Sequence, residues 1–176
     1  MTQRIIIAGA GGQGIMLLGK VLATAAMKED KFITWLPSYG AEVRGGTAHC
    51  MVVVSDSEIG SAYVSKADTL IIMNAPSLNR FKDRLKRGGL LIANSSLTGD
   101  FSAKSARISA RPFSDMACTL GNIKVANMIA LGCLAALTSI VGPQSLQTVI
   151  QAIAPEDKKG LVAINLAALE QGMKLM

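Results

Sequence analysis

Residues 5–26, "IIIAGAGGQGIMLLGKVLATAA", decide the fold of this chain. Three isoleucines without polar alternation read as a strand buried on both faces, the pattern of a parallel-sheet interior. Gly9, Gly11 and Gly14 follow in the spacing G-x-G-x-x-G, with Gly12 and Gln13 at the tip, and a helical apolar pattern runs on over 14–28. In such a strand–turn–helix the first glycine permits the tight turn and the second lets a phosphate reach the backbone. The third allows close helix–strand packing, and the helix N-terminus offers amide donors to an anion. A dinucleotide site also has an acidic residue about 20 residues on, at the end of the second strand. Here that strand ends "WLPS", and Glu29 and Asp30 come before it, at the opposite edge of the sheet. The reading as a free-standing NAD-type dinucleotide-binding module or oxidoreductase thus keeps the glycines and lacks the ribose carboxylate.

Downstream, the spacing predicts strands at 31–36 (stopped by Pro37), 49–56, 68–74, 89–94 and, weakly, 106–110. "SAYVSKA" at 61–67 predicts a short helix or turn. "NRFKDRLKRGG" predicts an amphipathic helix closed by Gly88-Gly89, with Leu78, Phe81 and Leu85 inward and Arg80, Arg84 and Arg87 on a solvated outer face. The last third predicts helices at about 112–120, 123–141, 145–153 and 158–174. Strands alternating with helices argue for an α/β fold: a Rossmann-like, open, mostly parallel sheet with helices on both faces and a helical C-terminal portion. No repeat or linker divides residues 1–176, which read as one domain.

The stretch "PSYGAEVRGGTA" at 37–48 is the most unusual. It leaves the second strand at the carboxyl edge of the sheet, where ligand crevices of doubly wound sheets open, beside the glycine turn. Gly40, Gly45 and Gly46 imply sharp backbone turns, Glu42 and Arg44 bring opposite charges, and Tyr39 and Thr47 bring hydroxyls. Arg44 with the amides of 45–47 makes a phosphate-binding set, with Glu42 orienting the arginine. Alternatively the stretch is a surface loop with an incidental ion pair. His49, the single histidine, has no cysteine or carboxylate near it in sequence and reads as a packed residue.

The chain has 176 residues, half of them hydrophobic, and a net charge of +6. The basic balance favours anionic partners in general. No aromatic residues interleave with the cations, so a stacking surface for nucleic acid finds no support. Cys50, Cys118 and Cys133 are odd in number and widely spaced, which argues against a disulfide framework or a metal or iron–sulfur site on this chain alone and for a reducing, cytoplasmic compartment. "VANMIALGCLAALTSIVG" carries Asn127 and falls short of a membrane span, so a buried or interface helix is expected rather than a membrane one. No nucleophile elbow, His-Glu-x-x-His or P-loop is present, and no catalytic residue is assigned.

"GAGGQG", "PSYGAEVRGGTA", "LGNIKVANMIALG" at 120–132 and "AINLAALEQG" at 163–172 occur in this order. Together they resemble the γ subunit, or γ domain, of 2-oxoacid:ferredoxin oxidoreductases, nearly from end to end. Such enzymes oxidatively decarboxylate pyruvate, 2-oxoglutarate or related acids to an acyl-CoA, or run in reverse, with electrons passing to ferredoxin. The resemblance implies α and β partners, with δ in some enzymes, that hold thiamine diphosphate, magnesium and the iron–sulfur clusters. It implies CoA as co-substrate, no cofactor on this chain alone, and an inactive isolated chain. The site residues it carries over are Gly9, Gly11, Gly12, Gln13 and Gly14, then Tyr39, Gly40, Glu42, Arg44, Gly45, Gly46 and Thr47. Asn122 and Asn127 would anchor the long helix or face a neighbour. Ala41 stands where many relatives have proline. Purified alone, such a chain is expected to expose an apolar face and pair with a second copy.

Overall fold

The computed structural model describes residues 1–38, 47–101, 105–153 and 160–175. Six strands are β1 (Thr2–Ala10), β2 (Phe32–Ser38), β3 (Thr47–Ser55), β4 (Ala67–Ile72), β5 (Leu85–Asn94) and β6 (Arg107–Arg111). Seven helices accompany them among the described residues: α1 (Ile15–Met27), α2 (Ala75–Phe81), α3 (Ser95–Thr98), α4 (Phe113–Thr119), α5 (Ala126–Thr138), α6 (Pro143–Ile153) and α7 (Val162–Met173). The sheet order is β2-β3-β1-β4-β5-β6. β1, β4, β5 and β6 pair in parallel, whereas β3 runs antiparallel to both β1 and β2. The expected mostly parallel α/β sheet is therefore present with one reversed strand. Eight residues separate Ser38 from Thr47, too few for the crossover of a dozen or more that parallel neighbours need.

Alternate residues of β1 serve opposite faces, which is why the strand shows no polar alternation. Ile5 and Ile7 join Cys50, Val52, Ile71 and Ile92 in a core roofed by α1, α5, α6 and α7. Ile6 and Ala8 join Met51, Val53, Leu70, Ile72 and Leu91 under α2, with Leu78 and Phe81 inward. His49 lies on this second face with its ring centroid 4.9 Å from that of Phe81, the packed role expected of it. No helix among the described residues is long and apolar enough to cross a membrane; α5 is instead buried along Ala126–Ala135.

Three local expectations need correction. Pro37 does not stop the second strand but lies inside β2, paired with Cys50. β2 is an edge strand with one neighbour, so a residue without an N–H is tolerated there. The amphipathic helix ends at Phe81; a 3-10 turn at Lys82–Arg84 follows, and β5 begins at Leu85 rather than at residue 89. Leu85 still packs inward, but Arg84 is no solvated helix residue. Its guanidinium donates to the carbonyls of Ser65 and Val64 and lies 5.2 Å from the Tyr63 ring centroid. The helix expected at 123–141 splits into a 3-10 turn at Ile123–Val125 and α5, and of residues 61–67, 61–66 form bends without a helix and Ala67 opens β4.

The three thiols differ in their surroundings. Cys50 and Cys133 are buried and Cys118 is exposed. Burial pushes the Cys50 thiol up to about 12, opposed in part by its contact with the Trp35 indole. Burial also raises Cys133, against a hydrogen bond with Ser109 and the nearby charge of Arg111. A group held protonated by the fold contributes stability below its unfolded pKa, and for Cys50 that contribution is lost as pH rises from about 9 to about 12. At mildly alkaline pH the folded chain is therefore expected to take up one equivalent of a maleimide or iodoacetamide, at Cys118, and three only after denaturation. Mass mapping of a modified Cys50 peptide from folded protein would contradict this burial.

Candidate functional site

The glycine turn sits at the carboxyl end of β1, where two devices hold it. The Gln13 carboxamide folds back: Oε1 accepts from the Ala10 N–H at 2.6 Å, and Nε2 donates to the Met73 carbonyl at 3.3 Å. Gly9 leaves the room this needs, since a Cβ there would lie 2.6 Å from Gln13 Oε1 and 2.9 Å from Met73 Cβ. The second device is Asn127 from α5, 2% exposed, whose Nδ2 donates to the Gly14 carbonyl at 3.1 Å. Gly14 has φ +70° and caps α1 without a side chain. Gly12 has φ +88° and open space around it, so it serves the turn by conformation alone.

This geometry bears directly on the dinucleotide reading. The crevice of a doubly wound sheet opens at the carboxyl edge where the chain reverses its winding, here between β1 and β4. In this chain the Gln13 side chain reaches from Ala10 at the end of β1 to Met73, the residue after β4, across the mouth of that crevice. Glu29 lies at the far edge, as its position in sequence requires, and its Oε1 accepts from the Gly142 N–H at 2.6 Å. The residues at the end of β2, Leu36–Ser38, include no acid.

What stays open is a groove of about 380 Å³ on the other side of the turn. Gly11, Gly12, the first helical turn Ile15–Leu17, Ser38 and Ala48 line it. Its walls are largely apolar, and the first turn of α1 contains no acidic residue, so the amide end of the helix can meet an anion. β3 enters here with Thr47 paired to Ala10 and Ala48 paired to Gly9. Ser38 leaves opposite His49. Both stems of the 37–48 stretch thus stand beside the glycine turn, as the order of the elements predicted. Of the residues carried over from that stretch, Thr47 is half-buried at the start of β3, while Tyr39, Gly40, Glu42, Arg44, Gly45 and Gly46 lie outside the described residues.

Asn122 accepts from the Lys124 N–H at 3.0 Å and caps the 3-10 turn before α5, the anchoring role expected of it. Sequence reasoning missed a buried amide under the same edge. Asn94 Nδ2 donates to Ser114 Oγ at 2.8 Å and to the Met73 carbonyl, and its Oδ1 accepts from the Ser114 N–H. Asn74 Oδ1 accepts from the Ser77 N–H and caps α2. The signal was present: the apolar runs "LIIMN" and "LLIAN" both end in asparagine. Among the described residues no group of three or more His, Cys, Asp or Glu side chains could hold a metal ion.

The family described as Pyruvate ferredoxin/flavodoxin oxidoreductase matches residues 4–175. The chain belongs to this family. It is 36% identical over 170 residues to ketoisovalerate oxidoreductase subunit VorA of Methanothermobacter thermautotrophicus, covering 96% of this chain and 35% of VorA. The chain thus spans about a third of that relative's length. It is 32% identical to 2-oxoglutarate synthase subunit KorC of Methanocaldococcus jannaschii, covering 99% of this chain and 94% of KorC. The fold overlays the γ subunit of a keto/oxoacid ferredoxin oxidoreductase from Geobacter sulfurreducens with a TM-score of 0.86 at 29% identity, over 98% and 97% of the two chains. Against the 2-oxoglutarate:ferredoxin oxidoreductase of Magnetococcus marinus, solved with 2-oxoglutarate, coenzyme A and succinyl-CoA, the TM-score is 0.88 at 25% identity. There it covers 99% of this chain and 31% of the other.

Proposed function

We propose that residues 1–176 act as one γ-type domain of a cytoplasmic 2-oxoacid:ferredoxin oxidoreductase, which converts a 2-oxoacid and CoA to an acyl-CoA with electrons to ferredoxin, or runs in reverse. The observation that carries this reading is the end-to-end overlay on a stand-alone γ subunit of the family. In the proposed enzyme, thiamine diphosphate with magnesium and the iron–sulfur clusters would supply the decarboxylation and electron-transfer chemistry from the α and β partners, with δ where the enzyme has one. This chain's part is to assemble with them and to enclose the CoA side. The apolar walls of the groove suit the pantetheine arm, and the amide end of α1 suits a phosphate. Arg44 would add charge, and Gly45 and Gly46 backbone donors, from the adjoining stretch. The alternative of a free-standing NAD module is disfavoured by the Gln13 bridge across the β1–β4 crevice.

Anaerobic purification of the tagged chain from its own cells tests the assembly. Stoichiometric partners carrying thiamine diphosphate, iron and sulfide, with CoA-dependent reduction of ferredoxin by a 2-oxoacid, are the expected result. A lone chain with a bound nucleotide would sink it. For the CoA side, Arg44→Ala in the intact complex is expected to weaken CoA by roughly tenfold, the loss of one charge-assisted contact. An unchanged CoA affinity in both Arg44→Ala and Gly45→Val would remove these residues from the site.

A further inference from the structure

The charge of this chain is gathered at one end. Residues 80–111 contain eight Lys or Arg and two acids, an excess equal to the net charge of +6 of the whole chain. This segment builds the end of α2 and strands β5 and β6, the side of the sheet away from β2.

The strand pairing there is irregular in a way that displays the cations. Ala67 pairs with Leu85 and Thr69 with Leu90, so β5 carries extra residues, Lys86–Gly89, that β4 does not match. Such bulges re-aim side chains. Gly88 has φ +76° and donates its N–H to the Ser105 carbonyl at 2.6 Å. Gly89 is pressed on β4, where a Cβ would lie 3.0 Å from the Asp68 carbonyl oxygen. Lys86 and Arg87 are thereby held, with Arg107 of β6, around an open cleft of about 310 Å³.

Asp68 is the one acid among the described residues lining that cleft, and it is already engaged. Its Oδ1 meets Lys86 Nζ at 2.5 Å and its Oδ2 accepts from the Arg4 N–H at 2.8 Å. The C-terminal turn of α5 lines the cleft through Leu137 and Thr138. A helix end contributes about half a negative charge, too little to balance Arg87 and Arg107 together. Arginines on β6 alone would be ordinary guards of an edge strand. That role does not account for the bulge, which lies on the interior strand β5. Ile108, the residue after Arg107 in β6, points to the other face of the same edge strand and is 46% exposed. An exposed apolar side chain on an edge that also carries the cations suits a protein partner rather than a small anion.

We propose that the β5–β6 end docks a carboxylate-rich face of another subunit of the same enzyme. The inference rests on the subunit reading above and assigns the surface used. It places a charge-steered interface on the flank of the sheet away from β2, apart from the glycine groove.

The test is assembly of the full-length chain with its co-expressed partners. Arg87→Glu/Arg107→Glu is compared with Lys20→Glu/Lys28→Glu, which makes the same charge change on α1 and the residue that caps its C-terminus. The β5–β6 variant is expected to assemble roughly a hundredfold more weakly and to lose most of the salt dependence shown by the wild type and the α1 variant. Should the charge reversal unfold the chain, Arg87→Gln/Arg107→Gln reads the same loss at about tenfold. Unchanged assembly overturns the proposal. Intact assembly with a raised KM for ferredoxin also overturns it and gives the surface to the electron carrier. A wild-type chain that joins no complex sinks the subunit reading itself, and this docking surface with it.

Discussion

Gly132→Val is expected to destabilise the chain by roughly 3 kcal/mol or more, the upper range for overpacking. α5 and α7 cross at their glycines. A Cβ on Gly132 would run into the Leu169 carbonyl oxygen and lie 2.9 Å from the Met173 nitrogen and 3.0 Å from Gly172 Cα. A Cβ on Gly172 would in turn meet the Ile129 carbonyl. These obstacles are backbone atoms, so no rotamer change relieves them and the helices must separate. Separation opens contacts around Ala168 and Leu169, both 0% exposed. With total stabilities of about 5–15 kcal/mol, such a loss leaves a marginal fold. Urea unfolding of the single variant measures it. A loss below about 1 kcal/mol would mean that the helices do not meet this closely.

The second large effect is expected at the glycine turn. Gly14→Val forces a β-branched residue to φ +70° and drives its Cβ into the Asn127 carboxamide, 2.9 Å from Cγ. The left-handed backbone costs roughly 1–2 kcal/mol. Displacing buried Asn127 from the Gly14 carbonyl costs about another 1–3 kcal/mol. Gly12→Ala, also at positive φ but in open space, carries the backbone cost without the collision. Denaturant midpoints for the two variants therefore separate conformation from packing. If both lose the same stability, the contact between α5 and the turn has no energetic weight. In the assembled enzyme the Gly14 variant should also weaken CoA, because the proposed groove includes this residue.

Much of the site was legible because it lies within short sequence spans. The G-x-G-x-x-G spacing states a tight turn with close packing; Gly9 is closely packed, Gly14 is both closely packed and at positive φ, and Gly12 at the tip adds a second positive φ. The stretch after β2 was placed beside that turn from element order alone, and the pairing of Thr47 with Ala10 agrees. The spacing puts Gln13 at the tip of the turn, among the residues the resemblance carries over as a site. It bonds to Met73, 60 residues away, a partner that no local pattern names. Asn127 reached the candidate list through family resemblance, and its bond to Gly14 spans 113 residues.

By itself the sequence determined the α/β class, the strand–turn–helix at the start, the two-faced burial of β1 and the gathering of charge between residues 80 and 111. Those properties follow from side-chain chemistry and periodicity, which are local. Tertiary structure alone decided that β3 runs against its neighbours, since "HCMVVVS" buries both faces equally well in either direction. It also decided that Gly132 must be glycine, because an apolar run does not say where a second helix will touch it. Most of all it decided that the fingerprint glycines pack on Gln13 and Asn127. A glycine records only that something comes close, and the rest of the chain settles what that is.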